Sequence, residues 1–282
     1  MSFQLVHFSN SGGYRPTNQD GYCIRISTTS VGIVSMLAVC DGMGGMSSGE
    51  VASSTVIHAL GEWFDQFSSS LTPECLAPQI ISQELHRIVS EKHQVLQRYG
   101  KNCGQHLGTT LSVILLTRMQ YYLLHVGDSR IYLTDPWKTS QLTHDQTLAM
   151  RELEAKRITE SEYQQDYRRN ILLQCVGDQS VNPVFIVGES PVEGGVLLCT
   201  DGFYHTVKRK EIHAAMRQPG GKITIQQCLL SLANRARTQG ETDNITCIAL
   251  RWTKNAMRMQ RQSNHGTTES LANISFINGT PL

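Results

Sequence analysis

The stretch Thr109–Asp135, TTLSVILLTRMQYYLLHVGDSRIYLTD, constrains the fold most. Two apolar runs are split by the short polar turn Thr117–Gln120, and a third follows Gly127-Asp128. This pattern reads as a three-stranded antiparallel meander. An earlier run, GIVSMLAVC (Gly32–Cys40), is β-branched and aliphatic with weak alternation, which suits a strand covered on both faces. FQLVHF (Phe3–Phe8), YCIRIS (Tyr22–Ser27), VFIVGE, GGVLLC and NITCIALRW (Asn244–Trp252) have strand character too.

Between them lie helical patterns. Ser47 or Ser48 can cap a first helix with apolar positions Ala52, Val56, Ala59, Leu60, Trp63 and Phe67. A second, about 73–99, carries the stripe Ile81, Leu85, Ile88, Val95 and Tyr99. Two more fall near 211–216 and 224–237. Many strands with paired helices predict an α/β (α+β) layered sandwich with antiparallel sheets, not alternating βαβ units.

Composition narrows the function classes. With 25 Lys+Arg against 24 Asp+Glu the net charge is +1, so nothing global points to nucleic acid or an anionic membrane. No apolar run is long enough to span a bilayer, and the N-terminus lacks the pattern of a secretory leader. The eight cysteines form no C-x-x-C pair and several sit inside apolar runs. They read as free thiols of a reducing compartment, the cytoplasm. Residues 147–174 are polar and helical in composition, a small mobile insertion. Residues 254–282 are polar and unpatterned and read as a disordered tail.

Acids recur beside the apolar strands. AVCDG ends one run at Asp41, LLCTDG another at Asp201, and LLHVGDS a third at Asp128; TDNIT opens the last at Asp243, and NQDG precedes an early strand at Asp20. Each alone is an ordinary turn signal. Five together can converge on one point, and clustered anions repel unless cations sit between them. Oxygen donors without a His–Cys cluster favour Mg2+ or Mn2+ over zinc. Gly42 and Gly202 follow two of the acids and allow close approach to the backbone, so the Gly42 carbonyl is a further candidate ligand. A nucleotide-cradling P-loop is excluded, because no lysine follows Gly44-Gly45-Met46-Ser47-Ser48.

In their order along the chain, these segments resemble the PP2C-type (PPM) metal-dependent protein serine/threonine phosphatases. GGYRPTNQD, VCDGMGG, GTTLSVIL with HVGDSRIYL, LTHDQT, NILLQCVG, LLCTDGF and TDNITCI are similar to that family's motifs from about residue 12 to residue 252. The resemblance implies a four-layer αββα sandwich of two antiparallel sheets flanked by helix pairs, over residues 1–253, with a flap at 147–174. It implies hydrolysis of phosphoserine and phosphothreonine in proteins with two Mn2+ or Mg2+ ions. By motif position Asp41 bridges the metals, Asp201 and Asp243 complete one site, the Gly42 carbonyl joins the other, and Asp20 holds metal-bound water. Asp128 with Asp201 forms a third, weaker site, and Arg15 binds the substrate phosphate. The implied partners are a phosphoprotein and an opposing serine/threonine kinase or its targets, in bacterial signalling or type VI secretion control, with the chain a monomer touching neither nucleic acid nor membrane.

Two departures stand out. Gln19 occupies a place where many eukaryotic members have glutamate. Met43 occupies one where they have the histidine assigned as proton donor, and both replacements are common in the bacterial branch. His144 is the histidine to consider as a substitute donor, with a metal-bound water the simpler one. The competing expectations are a catalytically inactive binding module of the same fold and another two-metal hydrolase such as a nuclease. The intact acids speak against the first, and the lack of a basic stripe against the second.

Overall fold

Each central apolar run becomes a strand buried on both faces, which is why polar alternation is missing from it. The computed structural model describes residues 3–12, 15–45, 48–219 and 224–253, and the backbone alone of 274–277 and 280–281. Its strands are β1 (Phe3–Asn10), β2 (Asp20–Thr29), β3 (Gly32–Gly44), β4 (Leu107–Thr109), β5 (Leu111–Leu116), β6 (Gln120–Val126), β7 (Arg130–Thr134), β8 (Thr139–Gln141), β9 (Val184–Glu189), β10 (Gly194–Cys199), β11 (Ile245–Trp252), β12 (Ile274–Ile277) and β13 (Thr280–Pro281). Its helices are α1 (Ser48–Ser69), α2 (Pro78–Cys103), α3 (Leu148–Glu154), α4 (Glu160–Tyr163), α5 (Asp201–Tyr204), α6 (Arg209–Met216) and α7 (Ile225–Thr238).

The strands form two antiparallel sheets, ordered β1-β11-β10-β7-β8 and β13-β12-β2-β3-β5-β6-β9, with β4 paired to the end of β3. Three cores separate four layers. Cys23, Met36, Ala38, Val113 and Leu115 face α1 and α2, where Val56, Leu60, Phe64, Ile81 and Leu85 meet them. Their chain neighbours Ile24, Leu37, Val39, Ile114 and Leu116 face inward against Val196, Leu198, Ile248 and Leu250 of the other sheet. That sheet turns Leu197, Cys199, Cys247 and Ala249 outward onto Phe203, Ile212, Leu229 and Ala236 of α5–α7. Each fully buried aliphatic side chain contributes about 1.5–3 kcal/mol, so two-sided burial holds the sheets at fixed separation. The αββα sandwich expected from the sequence is the fold observed.

Three local expectations are corrected. The third run of the meander does not pair with the second: β5 pairs β6, but β7 crosses into the other sheet between β10 and β8. The crossing occurs at Gly127, whose φ of +99° turns the chain beside Thr110. In α2 the expected Ile81, Leu85 and Ile88 are buried, but toward its end the buried residue is Leu96, while Val95 and Tyr99 are 46% and 41% exposed. The inward stripe passes through Val89 to Leu96, one residue on from the expected phase. Where a disordered tail was expected, Ile274–Ile277 adds a strand to the outer edge of β2, with Ile274 opposite Ile26 and Ile277 opposite Cys23. The rest of that tail's body, residues 254–273, lies outside the described residues, as does the cap candidate Ser47.

The insertion at 147–174 folds as α3, α4 and a short 3-10 turn at Tyr167–Asn170. Its Tyr163 is buried and donates to Asp145 at 3.3 Å, so the segment is pinned to the sandwich. The eight cysteines are free, five of them buried. Among the described residues no helix is long and apolar enough to cross a membrane.

Candidate active site

All five strand-end acids meet at one end of the sandwich. Asp20 opens β2 directly opposite Asp41 on β3. Asp201 begins α5 where β10 ends, Asp243 precedes β11, and Asp128 lies in the crossing from β6 to β7. Asp41 is the hub. Its carboxyl is pushed well above the usual carboxylate range, first by burial and then by the charges of Asp20, Asp201, Asp128 and Asp243. Asp41 and Asp201 stand within hydrogen-bonding reach of each other.

The scaffold fixes Asp41 through its backbone. Thr110 N–H and Thr109 Oγ1 donate to the Asp41 carbonyl at 2.9 and 3.0 Å, and Asp41 N–H donates to Thr110 Oγ1 at 2.9 Å. Thr110 Oγ1 also meets Ser129 Oγ at 2.7 Å, which ties the Asp41 strand to the residue after Asp128. Asp20 is held by Thr200 Oγ1, which donates to its Oδ2 at 2.9 Å. Thr200 in turn accepts from Thr246 N–H at 3.1 Å, so the bond joins both sheets. Burial and the nearby acids raise the Asp20 carboxyl to about 7, against the pull of the Thr246 and Thr200 hydrogen bonds.

Asp128 is raised as well, by burial and by Asp201 and Asp145, while Arg130 and the Tyr204 hydroxyl oppose the rise. Arg130 grips Asp145 through Nε at 2.9 Å and lies 3.5 Å over the Tyr204 ring. Asp201 is raised by burial, opposed by His205, and pushed further by Asp243 and Glu241. Arg15 Nη2 donates to Asp243 Oδ2 at 3.0 Å, with the arginine 54% exposed and so open to a ligand.

Backbone packing explains Gly42. A Cβ there would stand 2.1 Å from the Gly49 carbonyl oxygen and 2.5 Å from that of Gln19. Gly49 in turn lies against the Gly42 carbonyl, so at the start of α1 the helix and β3 approach backbone to backbone, which only glycine at both positions allows. Gly42 N–H donates to the Gln19 carbonyl at 3.2 Å, and Ser53 Oγ donates to the same oxygen at 2.7 Å. Met43 pairs with Gly108 as part of β3, so the motif's first glycines continue a strand and are not loop. His144 is turned to Glu154 at 3.1 Å and is well exposed.

The donor set fits hard divalent cations. Asp20 Oδ1 and Asp201 Oδ1 are buried without a hydrogen-bond partner. A buried anionic oxygen without a donor is costly, and a cation is the partner that removes the cost for several such oxygens at once. Among the described residues no three His, Cys, Asp or Glu side chains close into a finished cage.

Comparison with known proteins agrees with this geometry. Residues 16–227 match the family Protein phosphatase 2C. The chain belongs to the protein phosphatase 2C family. It is 30% identical over 214 residues to the serine/threonine protein phosphatase PstP of Mycobacterium tuberculosis, covering 76% of this chain and 39% of that protein. It is 28% identical over 216 residues to the serine/threonine phosphatase stp of Listeria monocytogenes, covering 76% and 82%. A crystal structure of the catalytic domain of PstP in complex with two manganese ions superposes with a TM-score of 0.71 at 26% identity, covering 89% of this chain and 99% of that one. The two antiparallel sheets and flanking helices are those of this family.

Sequence reasoning named the acids but not their supports. Ser129 and Thr200 adjoin Asp128 and Asp201 in sequence, and that adjacency was an available signal; Thr109, Thr110 and Thr246 adjoin no acid, and only the fold brings them to the site. Asn244 was missed too: its side chain accepts from Gln19 N–H at 2.8 Å and donates to the Thr17 carbonyl at 3.3 Å, joining two site loops.

Proposed function

We propose that this chain hydrolyses phosphoserine and phosphothreonine esters in proteins with two Mn2+ or Mg2+ ions, and opposes a serine/threonine kinase. The observation that carries the reading is the convergence of Asp20, Asp128, Asp201 and Asp243 on Asp41, with two buried carboxylate oxygens lacking donors. Asp41, central among them, would hold the cations together with Asp201, Asp243 and the Gly42 carbonyl. Asp20 would orient water, and Asp128 with Asp201 would supply a further, weaker position. Bound cations neutralise the phosphate dianion and make water nucleophilic near neutral pH.

The protein's own groups do the rest. Arg15, held by Asp243 and open on its other side, offers a bidentate fork to phosphate oxygens. Met43 cannot donate a proton, so the leaving alkoxide takes its proton from water. PstP, which this chain matches over 39% of that protein's length, is a serine/threonine phosphatase whose catalytic domain has been crystallised with manganese. Free buried thiols support a reducing, cytoplasmic setting.

Phosphate release from phosphoserine and phosphothreonine peptides tests the reading. It should require added Mn2+ or Mg2+, stop on chelation, and fall at least about 100-fold in Asp201→Asn, since a ligand of a two-metal clamp is lost. Turnover at the wild-type rate in that variant would refute it, and Mn2+ binding without turnover would favour the inactive binding module.

A further inference from the structure

Two residues outside the expected set connect the acids of the site. His205 follows α5 directly, and its N–H closes the helix on the Asp201 carbonyl at 3.0 Å. Its Nε2 faces Asp201 Oδ2 at 3.8 Å, and its Nδ1 lies 3.3 Å from Glu241 Oε2. The other oxygen of Glu241 accepts the backbone N–H groups of Thr242 and Asp243 at 2.9 and 3.0 Å. All three side chains are largely enclosed, with 20%, 13% and 11% exposure for His205, Asp201 and Glu241.

The geometry points to Glu241 and His205 as a positioning pair that aims the Asp201 and Asp243 carboxylates at a shared cation. The inference rests on the reading of Asp201 and Asp243 as cation ligands. The imidazole engages only Oδ2 of Asp201, and the free Oδ1 is the buried oxygen without a partner. One side of the carboxylate is thus backed by the ring, at ion-pair rather than hydrogen-bond distance, while the other stays open. Glu241 does the same for the chain at Asp243, which is otherwise a loop between α7 and β11. Asp243 Oδ1 then accepts Asn244 N–H at 2.8 Å, leaving Oδ2 with Arg15. A loop and a four-residue helix, 36 positions apart in sequence, are locked in register by one imidazole. Partners that orient metal-ligating carboxylates commonly change metal affinity by about 10–100-fold when removed.

Calorimetric Mn2+ titration of the full chain tests the pair, alongside hydrolysis measured against Mn2+ concentration. Glu241→Ala and His205→Ala should each weaken Mn2+ binding by about 10-fold or more and raise the Mn2+ requirement equally. Their kcat at saturating Mn2+ should stay within about two-fold, because neither residue touches substrate. The double variant should be no weaker than the worse single one, since both act through one connection. Glu241→Gln, which keeps an acceptor for the two N–H groups and a polar group at the ring, should recover most of the affinity. It also serves, with His205→Asn, if an alanine variant does not fold. Wild-type Mn2+ affinity in both singles, or losses that add in the double, would overturn the inference. A wild-type chain that binds no Mn2+ would overturn the metal reading and the positioning pair together.

Discussion

Asp41 shows how much one residue depends on its surroundings. Alone, an aspartate before glycine is a turn signal; here burial and four like charges hold its carboxyl far from its ordinary state. Arg15 is the converse, a half-exposed cation on the rim whose only described partner is Asp243. Its fork geometry is the property that matters for phosphate, so lysine is a poor replacement. Arg15→Lys should raise KM for a phosphopeptide about 10-fold or more while leaving Mn2+ binding near wild type. An unchanged KM in steady-state assays would remove Arg15 from the substrate site. Acids such as Asp201 were legible in the sequence because strand-end carboxylates are sparse and ordered. His205 and Glu241 were not, because their link spans a helix, a loop and another helix before it closes.

The decisive contact between elements is that of β3 with α1. Gly42 and Gly49 meet backbone to backbone, and the obstructing atoms are carbonyl oxygens that cannot rotate away. Gly42→Ala should therefore cost about 3 kcal/mol in urea unfolding and displace the strand that carries Asp41. Gly45→Ala, with open space around its Cβ, is the control and should cost less than about 1 kcal/mol. Equal costs would show that the close approach is not what holds the motif. Strand runs were readable from composition, since two-sided burial demands near-continuous apolar sequence. Their sheet membership was not. Ile131 and Tyr132 are buried whichever sheet takes β7, so nothing in the run itself announced the crossing at Gly127. The phase of α2 held through Ile81, Leu85 and Ile88 and slipped only in its last turns: Val89 and Leu96 continue a stripe as well as Ile88 and Val95 do, and only the packing beneath selects Leu96.

For the whole molecule, two sheets and two helical layers serve to bring strand ends from both sheets to one rim. The Thr200 bond to Asp20 and the Thr110 bond to Ser129 cross between the parts that carry the acids. The C-terminal strand β12 sits on the edge of β2, beyond residues 16–227 that match the family. Deleting residues 254–282 should leave hydrolysis of a small phosphate ester within about two-fold, since four paired residues on an edge add little to a sandwich of this size. It should also speed hydrogen exchange at Cys23–Ile26. Loss of activity on truncation would make the tail part of the catalytic unit. The central claim, that five acids are gathered to hold cations, is tested most directly by thermal unfolding of wild type and Asp41→Asn with chelator and with saturating Mn2+. Wild type should gain about 5–10 °C from Mn2+, as expected for a ligand bound well above its Kd. Asp41→Asn should gain almost nothing, yet with chelator melt no lower than wild type, because it removes a buried charge crowded by four others. An equal Mn2+ shift in both proteins, or none in either, would contradict the account.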